Sequence, residues 1–114
     1  SDRKRAHAGK RTRKALDQLD PTDKESFSNM ARLLRDFVTI KTGKGCRGAT
    51  IERVRNVAGQ HFGRPGFQIG NIIERAERAR YGATDGIDFS SLRDEAIQVL
   101  NEAQLTDPTE EAKA

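Results

Sequence analysis

The sequence predicts an all-α fold, a single small domain of about five helices with short loops. Three observations carry that expectation. Apolar residues between Leu16 and Leu105 recur every three to four positions, the repeat of one helix face. Start signals alternate with stop signals: Asp20-Pro21, Thr50 and Asp88 or Ser90 against Gly43, Gly82 and Asp107-Pro108. No stretch alternates apolar and polar residues long enough to read as a strand, and only Gly63 to Ile69 has room for a short extended piece.

The elements follow in order. Ser1 to Gly9 is expected to lack regular structure. A short first helix runs from about Lys10 to Leu19, with Ala15, Leu16 and Leu19 on its apolar face. Asp20-Pro21-Thr22-Asp23-Lys24-Glu25 then offers two helix starts. Either Asp20 caps with Pro21 in the first turn, or Thr22 and Glu25 form a capping box. Phe27, Met30, Leu34, Phe37 and Val38 share one face of that second helix, widened by Leu33 and Ile40. Gly43-Lys44-Gly45 ends it near Thr42. Gly43 to Ala49 reads as a flexible, cationic inter-helix loop.

Thr50 caps a third helix carrying Ile51, Val54, Val57, Ala58 and Phe62, with Gly59 weakening its last turn. Gly63-Arg64-Pro65-Gly66 has turn composition. A fourth helix spans about Phe67 to Tyr81, with Ile69, Ile72, Ile73 and Ala76 inward and Gly82 as its C-terminal cap. The fifth begins at Asp88 or Ser90 and buries Leu92, Ala96, Val99, Leu100 and Ala103. The central packing is expected around Phe27, Leu34, Phe37, Val54, Ile72 and Leu100. The organisation is then a basic juxtamembrane-like segment at 1–14, a helical domain at 15–105 and an acidic disordered tail at 106–114.

Charge is the least even property of the chain. Ser1 to Lys14 holds seven basic residues (Arg3, Lys4, Arg5, Lys10, Arg11, Arg13 and Lys14) and one acid, Asp2, a balance of +6 in a chain of net +4. Ala15 to Ala114 therefore sums to −2. A nucleic-acid-binding domain usually spreads cations over a folded face. A basic stub before a near-neutral domain looks instead like the cytoplasmic flank of a membrane span. Such a span would have to precede Ser1, since no run of about 18 apolar residues occurs within the chain.

The chemistry-bearing residues do not assemble into a catalytic pattern. His7 and His61 have no ligand at metal-binding spacing, so no metal is expected. Thr42-Gly43-Lys44-Gly45-Cys46-Arg47-Gly48 lacks the order of a P-loop and follows no strand. Its minor reading is contact with an anionic partner. Ser26, Ser28, Ser90 and Ser91 fall at helix starts or helix surfaces, away from any strained elbow. Cys46, the one cysteine, suits a reducing compartment and reads as a free loop cysteine of no function, the minor alternative being a thiol whose pKa is lowered by the neighbouring Lys44 and Arg47. The chain reads as non-enzymatic, with no cofactor and no small-molecule substrate.

Nucleic-acid binding is the rival reading. Thr50 to Tyr81 gives two helices around a Gly-containing turn, with Arg53, Arg55, Arg64, Arg75, Arg78 and Arg80 along them, as in a helix-turn-helix. The basic stub could also fold on RNA. Against this, the connection His61 to Gly66 is long, acids interleave most of the arginines, and the last thirty residues carry two basic and eight acidic side chains.

Five stretches together carry a family resemblance. They are Ala15-Leu16-Asp17-Gln18-Leu19, then Phe27 with Leu33-Leu34-Arg35-Asp36-Phe37-Val38, then Thr50 before Ile51-Glu52-Arg53-Val54. The fourth is Ile72-Ile73-Glu74-Arg75-Ala76-Glu77-Arg78-Ala79-Arg80-Tyr81-Gly82, and the last is an acid-capped final helix. From about Ala15 to Ala103 this order resembles the cytoplasmic helical tail domain of BatD-type bacterial membrane proteins. The Glu74–Gly82 run is the best match; Phe37, Arg53-Val54 and Gly59 depart from the pattern. The resemblance implies a membrane-tethered domain at the cytoplasmic face of the inner membrane. It implies MoxR-type AAA+ ATPases and von Willebrand A domain proteins as partners, a role in envelope stress tolerance or assembly, and no catalytic residues.

Overall fold

The computed structural model describes residues 2–81 and 86–108. Every regular element among them is helical: α1 (Asp2–Ala6), α2 (Ala8–Asp17), α3 (Glu25–Thr42), α4 (Ile51–Phe62), α5 (Arg64–Arg80) and α6 (Phe89–Thr106). Helix α5 is central and packs against α3, α4 and α6. Helix α2 lies across α3 and α6. The buried apolar side chains form one cluster from Ala8 to Ala103. Of the six residues expected at its centre, Leu34, Phe37, Val54, Ile72 and Leu100 are buried. Phe27 is only half-buried and meets Phe89 edge-on at 5.3 Å.

The N-terminus departs most from expectation. Residues 2–9 are not an irregular leader. Hydrogen bonds from His7 N to Arg3 O (3.2 Å) and from Arg11 N to His7 O (3.0 Å) carry the helical ladder across the short break between α1 and α2. The reason is the buried face of α2: Ala8, Gly9, Thr12 and Leu16. These recur at i, i+4 and i+8, but three of the four are small. They let α2 approach closely, and a Cβ on Gly9 would already lie 3.8 Å from the Phe37 ring.

Neither expected start for the second helix forms at Asp20-Pro21. The Asp20 carboxylate instead accepts the Thr22 backbone N–H (2.9 Å) and hydroxyl (2.8 Å), closing an Asx turn. Those two hydrogen bonds hold the Asp20 carboxyl below its ordinary value of 3.8. The Asp23 carboxylate accepts from Glu25 N at 2.9 Å, and α3 begins there. Other caps match the sequence reading. Gly43 ends α3 at φ 74°, with its N–H on Thr39 O. Thr50 Oγ1 accepts from Arg53 N at 3.2 Å, and Asp88, rather than Ser90, caps α6 through Ser91 N at 2.9 Å. Gly82, expected to cap α5, lies outside the described residues.

The turn placed at Gly63 to Gly66 shrinks to one residue. Gly63 (φ 75°) alone separates α4 from α5, and Pro65 sits in the first turn of α5, where its missing N–H costs nothing. The two helices pack with backbone against backbone. A Cβ on Gly66 would stand 2.0 Å from Ala58 O, and one on Gly70 2.6 Å from Arg55 Cγ. Gly59 is the seat of the Phe67 ring, 2.6 Å from where a Cβ would be.

The C-terminal boundary also moves. Thr106 closes α6 and donates its hydroxyl to Phe62 O at 2.7 Å. Asp107, placed in the acidic tail by sequence, is buried, with its carboxylate between Lys41 Nζ (3.0 Å) and His61 Nε2 (2.9 Å). The folded body therefore extends through Asp107. Residues 109–114 lie outside the described residues. None of the described helices is long and apolar enough to cross a membrane.

Candidate functional site

The seven N-terminal cations divide into two groups by burial. Arg5 and Arg13 are half-buried and hold the helix down. Arg5 Nε reaches Ile40 O at 3.4 Å on α3, and Arg13 Nη1 donates to Gln104 Oε1 at 3.1 Å on α6. Arg3, Lys4, Lys10, Arg11 and Lys14 are exposed. Spacings of three and four place them on the outward side of α1 and α2, opposite Ala8, Thr12 and Leu16. Arg11 also closes the end of α1 through Lys4 O at 3.0 Å. No acid occurs between Arg3 and Leu16, and the nearest acids along the chain, Asp2 and Asp17, stand at the two ends of the ridge.

The arginines of α4 and α5 are not gathered in the same way. Arg55 pairs with Glu74 and donates to Asn71 Oδ1 at 2.7 Å, and Arg75 pairs with Glu95. Arg53 and Arg78 are exposed, and Arg80 lies over the Tyr81 ring at 5.0 Å. The single-residue connection between α4 and α5 removes the objection that the turn is too long for a helix-turn-helix. Helix α5 is however flanked on three sides, whereas a recognition helix must project.

Sequence reasoning missed a third region. Arg35 is 89% removed from solvent on its side chain, exposure being 11%. Its Nε and Nη2 fork onto Glu77 at 2.7 and 3.1 Å, and its Nη1 donates to Cys46 O (2.8 Å) and Ala49 O (2.7 Å). Cys46 N donates to Thr39 Oγ1 at 3.0 Å. The 43–49 segment, expected as a flexible loop, is thereby anchored to α3 and α5. Over this clamp opens a cleft of about 590 Å³, walled by α3, the 47–49 backbone and the end of α5. Arg32, Arg35, Arg47 and Arg80 line it together with Asp36 and Glu77. Of these, Arg80 belongs to the arginines singled out from sequence, and Arg47 to the 42–48 loop whose minor reading is contact with an anionic partner. The available signal was the i, i+4, i+8 row Ser28, Arg32, Asp36 on the polar side of α3.

Cys46 is fully buried, and Lys44 and Arg47 are not the cations that act on its thiol. Lys44 is exposed, and Arg47 is drawn to Asp36 at 2.6 Å. Burial pushes the Cys46 thiol above its ordinary 9.0, and the charges of Arg53 and Arg35 offset this only in part. Little thiolate forms at neutral pH, and little of the sulfur is reachable. Labelling by a disulfide reagent at pH 8 is expected to run about a hundredfold or more slower on the native chain than in denaturant, because the site must first open. Equal rates would show that the 43–49 segment is not held by Arg35.

His61 is engaged with Asp107 as described. Among the described residues no group of three or more His, Cys, Asp or Glu is arranged to hold a metal ion. Comparison with protein-family models, curated proteins and solved structures returned no match.

Proposed function

We propose that this chain is a non-catalytic interaction domain that rests on the anionic cytoplasmic face of a membrane. The ridge of α1 and α2 meets lipid headgroups, and the remainder of the bundle faces a protein partner. One observation carries the reading: five exposed cations without an intervening acid, displayed on helices that are themselves docked to the core. The ridge carries no large apolar side chain, so it lies on headgroups rather than inserting.

Magnitudes support a tether. Each Lys or Arg near an anionic leaflet contributes about 1 kcal/mol, so five give about 5 kcal/mol. On its own this corresponds to a dissociation constant of order 0.1 mM. That orients a domain already held at the surface and does not retain a free one. The reading includes the resemblance to BatD-type tails, with a MoxR-type ATPase or a von Willebrand A domain protein as the partner. Cys46 covered, His61 engaged, and Ser26 and Ser91 spent on Asp20 O and Asp88 support a role without catalysis.

Co-sedimentation tests it. Binding to vesicles with about one-third phosphatidylglycerol is expected at low salt, with none to pure phosphatidylcholine, and loss as salt rises. K10Q/R11Q/K14Q should weaken it by about a hundredfold, three charges at about 1 kcal/mol each. Equal binding by the variant overturns the reading. Retention by a DNA duplex but not by vesicles would pass the ridge to the nucleic-acid alternative, with Arg53, Arg55, Arg75, Arg78 and Arg80 as further candidates.

A further inference from the structure

We infer that the cleft over Arg35 is a docking site for a short acidic segment of a partner protein. This rests on the reading of the chain as an interaction domain, but it uses a surface distinct from the ridge. The charge count inside the cleft is the starting point. Of its four arginines, Arg35 is committed to Glu77 and Arg47 to Asp36. Arg32 and Arg80 have no carboxylate partner among the described residues. Arg32 Nη2 holds only the neutral Asn29 Oδ1, at 3.2 Å, and Arg80 only the Tyr81 ring. Among the described residues the cleft therefore carries two positive charges without a carboxylate partner, on two planar forks suited to carboxylates.

Ser28 supplies an independent observation. Ser28 lines the same cleft, and its hydroxyl, turned away from solvent, has no hydrogen-bond partner among the described residues. A buried hydroxyl without a partner carries a desolvation penalty. Rotation of the Ser28 side chain into the cleft lets a carboxylate or carbonyl of a bound segment accept from its Oγ, which removes that penalty.

The occupant's chemistry follows from what else lines the cleft. Asp36 and Glu77 contribute negative charge, and Arg80 is the last residue of α5, whose terminal carbonyls form the negative end of the helix dipole. A ligand with three or four charges on one phosphate chain meets repulsion there. Two separated single charges match the two arginines. The apolar residues of the wall are Ala31 and Ala49, and no large apolar side chain is there to hold an acyl chain. The cleft's volume lies within the range of well-formed ligand clefts.

Fluorescence anisotropy with a fluorescein-labelled tetraglutamate peptide at about 50 mM salt tests the assignment. Wild-type chain should bind it, and R32Q/R80Q should lose about thirtyfold or more in affinity, two charge-assisted contacts being removed. S28A should lose about three- to tenfold with no fall in thermal stability, because its hydroxyl holds nothing in the free chain. K10Q/R11Q/K14Q should stay within about twofold, since its charges lie outside the cleft. Affinity that follows the ridge variant rather than the cleft variant overturns the assignment. So does the absence of binding, or tighter binding of inorganic pyrophosphate that is lost in R32Q/R80Q. A chain that holds anionic vesicles but not the peptide loses the cleft and keeps the ridge; the converse result loses the ridge and keeps the cleft.

Discussion

Replacing Asp107 by alanine is expected to lower the free energy of unfolding by about 3–5 kcal/mol, a large part of the stability of a domain this size. The Asp107 side chain is fully covered, and the Lys41 side chain that faces it is 3% exposed. Truncation takes the Asp107 carboxylate away from the buried Lys41 ammonium and removes the acceptor of His61 Nε2. It also loosens the end of α6 where Thr106 ties to Phe62 O. The contrast with a double variant gives the test its force. K41M/D107L removes both charges and keeps comparable volume, so it should recover most of the loss, as buried pairs replaced by apolar groups commonly do. Urea unfolding of both variants measures this. A D107A midpoint equal to wild type would show that residue 107 belongs to the tail after all.

Gly66→Ala is expected to cost about 3 kcal/mol or more, by forcing α4 and α5 apart. Within an exposed helix the same change would stabilise by about 1 kcal/mol, because alanine is the better helix former. Overlap wins here. The added Cβ would meet the Ala58 carbonyl oxygen at 2.0 Å and its carbon at 2.3 Å, and these are backbone atoms with no rotamer to yield. Gly48→Ala, with nothing within 4 Å of its Cβ position, serves as the control and should leave the thermal midpoint nearly unchanged. A stabilised G66A would contradict the close approach of these helices.

The parts of the fold legible in the sequence are those specified locally. Thr50 and Asp88 cap the helices that follow them because the acceptor and the N–H it serves are three residues apart. The apolar stripes of α3, α4, α5 and α6 show as periodicity because they use large side chains such as Phe37, Val54, Ile72 and Leu100. The buried face of α2 uses Ala8, Gly9 and Thr12, so the same periodicity leaves no apolar trace. Gly63-Arg64-Pro65-Gly66 has the composition of a turn. Only the neighbouring helix shows that Pro65 occupies a first turn and that Gly66 makes room for Ala58. Asp107 and the Arg35 clamp were invisible for a different reason. Their partners, Lys41, His61 and Glu77, come from other helices, and nothing near them in sequence announces the pairing. The cleft is assembled from α3, the 47–49 segment and α5, so its charge balance exists only in the folded chain.

The placement of the N-terminal cations on a docked helix underlies the functional reading, and native-state amide hydrogen exchange tests it directly. The amides of Thr12 to Leu16 should be protected about a thousandfold or more over their intrinsic rates, as expected of helix that opens only with a large part of the fold. Exchange at intrinsic rates through Leu16, with α5 protected, would mean that Arg3 to Lys14 is a free basic arm. The ridge, and the membrane-facing role drawn from it, would then fall.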